Sequence, residues 1–123
     1  MRNLLAEGQH WLADKQVALV SVRVQYARAE ANVCISATPG RSEWDVTDAS
    51  GALFRVESRD YLIKRELLEL DGIPTEPQAA DRITDGEYVY EVSSPGPNIP
   101  VWHWDGPSRV RRRIHTKLIT NPT

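Results

Sequence analysis

The chain has 123 residues, 41% of them hydrophobic and 26% charged, with a formal net charge of −2, eight prolines and one cysteine. This length fits one domain, 1–123, with enough apolar content to form a core. Cys34 alone excludes an intrachain disulfide framework, no Cys/His cluster has structural-zinc spacing, and no run approaches the roughly 18 apolar residues of a membrane helix.

Glu7 and His10 interrupt the start before an apolar stretch of signal-peptide length develops, so a secreted chain is not expected. The charges are unevenly placed. Glu57 to Glu91 holds ten acids against four bases, whereas Arg109 to Lys117 holds five bases and no acid. Such a pattern suits either ordinary solvated faces or a self-assembling subunit whose acidic side meets a neighbour's basic side.

In chain order, the first expected element is an amphipathic helix within 1–16. Leu4, Leu5, Gly8, Trp11 and Leu12 form one stripe, with Asn3 at the start and Lys15 at the end. The period then changes to two. Val20, Val22, Val24 and Tyr26 alternate with polar residues, predicting a strand over 17–27. Asn32 to Ala37 is a second strand, expected to stop at Thr38-Pro39-Gly40, and the two make a hairpin. Trp44-Asp45-Val46 is a short apolar patch before a turn at 48–51, and 53–63 is the third strand.

Lys64 to Leu70 reads as one helical turn followed by extended chain. Ile83 leads through Asp85-Gly86 into a strand over 87–92. Three prolines prevent regular structure in Ser94 to Pro100. Val101 to Trp104 and Arg109 to Ile119 are the last strands, and 120–123 is a tail. Short strands with frequent turns after one helix predict a mainly β fold: a small β-barrel or sandwich body over 17–119 with an N-terminal helix.

Residues of catalytic type do not converge on a motif. Asp81 and Asp85 read as solvated turn acids. His10, His103 and His115 are dispersed, without His-x-x-x-His spacing. Cys34 lacks an adjacent base, Ser93-Ser94 lacks a nucleophile elbow, and the glycines form no phosphate loop. The chain is therefore not expected to be an enzyme, and no cofactor or metal is implied.

The last strand carries more information. Strict alternation points Arg109, Arg111, Arg113, His115 and Lys117 one way, a basic rail about 27 Å long at roughly 3.3 Å per residue. Three roles are open to it: a charged edge that resists aggregation, a contact with a neighbouring subunit, or a sequence-independent contact with DNA phosphates. Trp102 and Trp104 share a face, with His103 on the other. Behind the rigid segment containing Pro97 and Pro100, the two tryptophans are candidates for docking a partner, with core packing as the alternative.

The strings Arg59-Asp60-Tyr61-Leu62-Ile63, Leu70-Asp71-Gly72-Ile73-Pro74-Thr75-Glu76-Pro77, Asp81-Arg82-Ile83, Tyr88-Val89-Tyr90-Glu91-Val92 and Arg113-Ile114-His115-Thr116-Lys117 together resemble the head-tail joining proteins of long-tailed bacteriophages. The likeness covers roughly 41–119. One departure is Ala80, at a place where that family usually has Gly before the Asp; Ala tolerates positive φ poorly.

The resemblance implies a structural virion protein: a small β-barrel subunit forming a homo-oligomeric ring of six or twelve copies below the portal. Adaptor, stopper and head-completion roles all fit. The implied partners are the portal or adaptor ring, tail proteins and packaged DNA, without a membrane. The implied location is the virion neck after synthesis in the host cytoplasm. A tail-terminator or tail-tube component is the nearest alternative. A small-barrel nucleic-acid-binding module using the rail and the two tryptophans is the alternative from another class.

Overall fold

The computed structural model describes residues 20–120. The expected helix within 1–16 and the last residues of the tail lie outside the described residues. The strands are β1 (Val22–Arg28), β2 (Ala31–Thr47), β3 (Leu53–Lys64), β4 (Glu69–Leu70), β5 (Ile73–Pro74), β6 (Arg82–Asp85), β7 (Tyr88–Val92), β8 (Trp102–Trp104) and β9 (Arg111–Thr120).

A six-stranded barrel closes in the order β3-β2-β1-β6-β7-β9, with β9 returning to β3. This decides between barrel and sandwich. The register Asp60↔His115 through Lys64↔Arg111 joins residues far apart in sequence and leaves no open edge between β3 and β9. Strand β8 extends the sheet beside the first half of β9, while β7 pairs with its second half.

The period-two pattern explains the barrel interior. Val24 and Tyr26 of β1, Ile35 and Ala37 of β2, Tyr61 and Ile63 of β3, Ile83, Val92 and Ile114 all point inward and are buried. Filling the interior with large side chains makes it a packed core rather than a pore, each contributing about 1.5–3 kcal/mol of transfer free energy.

Strand β2 does not stop at Thr38-Pro39-Gly40. It runs on to Thr47, pairing with β1 from Ala31 to Ala37 and with β3 from Thr38 onward. Pro39 therefore sits where the strand changes partner, just past the β1 ladder, a place that tolerates a missing N–H. The Trp44-Asp45-Val46 patch is part of this long strand, and β2 with β3 forms an arm reaching beyond the barrel wall. One face of the arm is solvated, with Arg55 paired to Glu43 and Asp45 and Arg41 paired to Glu57. Asp48 caps its tip by accepting from the N–H groups of Ser50 and Ala52.

Several local expectations hold. A 3-10 turn spans Arg65–Leu67 and is followed by β4. The β6–β7 hairpin turns through Gly86-Glu87 between Asp85 and Tyr88. Gly86, at the first central position, has φ 63, which favours glycine. The segment 94–100 contains no strand or helix. By contrast, β9 begins at Arg111, because Arg109 adopts a positive φ of 57 that breaks the extended run.

Asp81 is not a solvated turn acid. It is buried, with Tyr26 Oη donating to Oδ2, Arg28 Nε 2.8 Å from Oδ1 and the Gln78 N–H 2.9 Å from Oδ2. Burial, then the bond to Asp81, pushes the Tyr26 hydroxyl far above its ordinary range. The carboxylate ties the 75–81 segment to the end of β1. Asp85 is half-buried and accepts from Tyr61 Oη at 2.7 Å.

Candidate functional site: buried charges beneath the last strand

Alternation along β9 places Ile114 inside the barrel and sends Arg113 and His115 to the outer face of the wall. That outer face is covered. Asp60 stands directly across from His115, and Oδ1 lies 2.9 Å from its Nδ1. Arg113 Nη1 donates to Asp60 Oδ2 at 2.9 Å, Ser58 Oγ donates to Oδ1 at 2.8 Å, and Ser42 Oγ donates to Oδ2. Four donors saturate a fully buried carboxylate, the condition under which burying charge is tolerated.

Trp44 closes the cluster from the arm. Its ring meets His115 edge-on at 4.9 Å between centroids, and its Nε1–H donates to Ser58 Oγ at 3.2 Å. From β8, His103 brings Nδ1 to 3.2 Å from His115 Nε2. With His115 donating to Asp60 through Nδ1, neutral rings require His103 Nδ1–H to donate to His115 Nε2. A hydrogen-bonded line thus runs from a buried carboxylate to an exposed imidazole. Burial first, then repulsion from His115 when it is protonated and from Arg113, holds the His103 pKa below its ordinary value.

The expected rail is accordingly not an open basic strip. Arg113 and His115 are buried on Asp60. Arg111 is held 2.8 Å from Asp105, and Lys117 stands 3.7 Å from Glu91. Arg109 precedes the strand and is exposed, as is Lys117. Asp60 and Glu91 belong to the acidic middle of the sequence, so part of the charge complementarity is satisfied within the chain. The reason is the β3–β9 closure, which brings acid and base to one wall.

Trp102 and Trp104 are half-buried on the other face of β8, their rings edge-to-face at 5.0 Å. Arg112, their neighbour across the ladder, lies over both, with Cζ 4.7 Å from the Trp102 ring and 5.1 Å from that of Trp104. Such cation–π contacts are worth about 0.5–2 kcal/mol each. Trp102 also packs against the core, as the alternative reading of this residue expected. Pro97 and Pro100 are exposed on the segment before β8.

Sequence reasoning missed the convergence of Asp60, His103 and His115, which no spacing encodes. The one available signal was an acid inside the apolar run Asp60-Tyr61-Leu62-Ile63. Among the described residues, no group of three or more His, Cys, Asp and Glu side chains is arranged to hold a metal.

The site ties the barrel wall together, and the fold is a small closed β-barrel. A family model described as phage head-tail joining protein matches residues 2–123. The chain belongs to that family, whose members are structural proteins of the head-tail junction. Membership implies a place in the virion neck and contacts with portal and tail proteins. No curated protein matches the chain.

Proposed function

We propose that this chain is a neck subunit that assembles into a homo-oligomeric ring of six or twelve copies below the portal, joins head to tail and helps retain packaged DNA without catalysing a reaction. The family match across residues 2–123 carries this reading. Residues on the surface give it chemical substance. Arg109 and Lys117 are exposed cations available for a sequence-independent contact with phosphate, while the exposed Pro97 and Pro100 and the half-buried Trp102 and Trp104 are candidates for contact with a protein partner.

The test is native mass spectrometry of the pure chain, alone and co-expressed with the portal and tail proteins of its phage. A ring that co-purifies with portal supports the proposal; a ring that joins only tail tube points to a terminator instead. A monomer under every condition that retains short DNA, with affinity falling steeply in salt, overturns it in favour of a binding module. The exposed double charge reversal Arg109→Glu with Lys117→Glu separates the roles of the cations. Leakage of DNA from otherwise complete particles is the expected result.

A further inference from the structure

The two ends of the barrel differ. Beyond the end where Lys64 faces Arg111, the chain turns back, and Leu68 and Leu70 are buried in the core cluster with Ile63. At the other end the antiparallel registers gather the start of β1, the β6–β7 turn and the end of β9. Here Val20, Tyr88 and Leu118 are 56%, 45% and 45% exposed. All three continue inward-facing rows. Tyr88 pairs with Asp85 two residues from the inward pair Ile83↔Tyr90, and Leu118 pairs with Tyr90. Ser21 Oγ, 3.5 Å from Thr38 Oγ1, carries the β1–β2 pairing one residue past Val22↔Ala37, which leaves Val20 on the inner side.

Single exposed apolar residues are ordinary, but three in the core phase around one mouth need a cover. The path of the chain says which. Residues 1–19 enter the barrel through Val20, at the rim itself. They carry Leu4, Leu5, Trp11 and Leu12, whose spacing gathers them on one side. From Leu4 to Leu12 such a stripe is about 12 Å long at 1.5 Å per residue. A mouth of six strands about 4.8 Å apart is on the order of 10 Å across. The connection 13–19 reaches about 23 Å when extended, enough to lay the stripe over the opening. A segment on so short a tether has an effective concentration of about millimolar, ahead of any free partner.

We propose that residues 1–19 cover this open end of their own barrel, with Leu4, Leu5, Trp11 and Leu12 on Val20, Tyr88 and Leu118. The floor beneath is already satisfied: Arg59 lies over the Tyr61 and Tyr90 rings, 3.5 Å from Asp85, so the cover has apolar side chains to meet rather than a bare charge. The contact completes the core within one subunit and does not depend on ring assembly.

Two measurements on the full chain test the cover. In a Cys34→Ser background treated with oxidised glutathione, Leu12→Cys paired with Leu118→Cys is expected to close an intrachain disulfide, read by intact mass as the loss of two hydrogens without a dimer. His10→Cys, on the side away from the stripe, is expected to leave Leu118→Cys unlinked. Separately, Leu12→Asp and Leu118→Asp are each expected to raise the unfolded-to-folded ratio about tenfold or more, and the double variant to cost less than the two together. A Leu12–Leu118 pair that stays unlinked, links only between copies, or links no better than His10 overturns the proposal. So does a near-neutral Leu118→Asp, the result for an uncovered surface residue, or strict additivity of the two substitutions.

Discussion

Asp60 and His115 face each other across β3 and β9, 55 positions apart in sequence, with Oδ1 2.9 Å from Nδ1 and neither side chain reaching solvent. The contact closes the barrel on its outer wall just as Tyr61 and Ile114, the next pair along, close it on the inner one. Polar and apolar closure are thus two faces of the same pairing.

Replacing Asp60 by Asn leaves Arg113 and His115 buried without their shared carboxylate. Breaking one partner of such a pair is expected to cost about 3–5 kcal/mol, read as a lower urea midpoint. Burial by itself raises the Asp60 pKa, but hydrogen bonds from His115, Ser42 and Ser58 outweigh it and hold the carboxyl below its ordinary value. The unfolded chain therefore binds the proton more readily. The stabilisation is complete above the unfolded value of about 3.9 and is lost as pH falls through the folded one. Thermal melts from about pH 5 to about pH 2 should show this loss in the wild type and a flatter profile in Asp60→Asn.

His103 titrates in a different window. Its folded pKa lies below the unfolded value of 6.5, so the unfolded state takes up the proton first and stability falls as pH drops below that value. Thermal unfolding followed from about pH 7.5 to about pH 5 should reveal this slope, and His103→Gln should reduce it.

Ala80 has φ 78, a left-handed conformation, and its N–H donates to the Val92 carbonyl at 2.9 Å. Alanine there costs about 1–2 kcal/mol, while glycine adds roughly 0.4–1 kcal/mol of unfolded-state entropy. Ala80→Gly is expected to raise the urea midpoint by the difference, about 0.5–1 kcal/mol in stability. An unchanged or lower midpoint contradicts the strain.

Gly96 lies against the arm: a Cβ built there would stand 2.9 Å from Val46 Cγ2 and 3.3 Å from Cγ1. Gly96→Ala should cost about 1–3 kcal/mol by overpacking. In the double variant with Val46→Ala the two costs should not add, because the removed methyls make room for the new one. A thermodynamic cycle measures that coupling.

The alternation in Val22 to Tyr26 and in Tyr88 to Val92, and the glycine turn at 86, were legible because each is decided by neighbours along the chain. The terminator at Pro39-Gly40 was not a stop, since a strand ends only when it lacks a partner, and β3 supplied one from the far side of a turn. Likewise, the face shared by Arg111, Arg113 and His115 follows from strand periodicity, but its exposure does not. Period determines which way a side chain points; only the packing of β3, β8 and the arm decides what it meets. The sequence by itself determined a β-rich chain, the faces of its strands and, through its motifs, its family. The tertiary structure alone decided the closure of the barrel, the burial of Asp60 with His115 and Arg113, and the seating of Arg112 over Trp102 and Trp104, because each depends on contacts whose cost in chain entropy is met only when the whole wall forms.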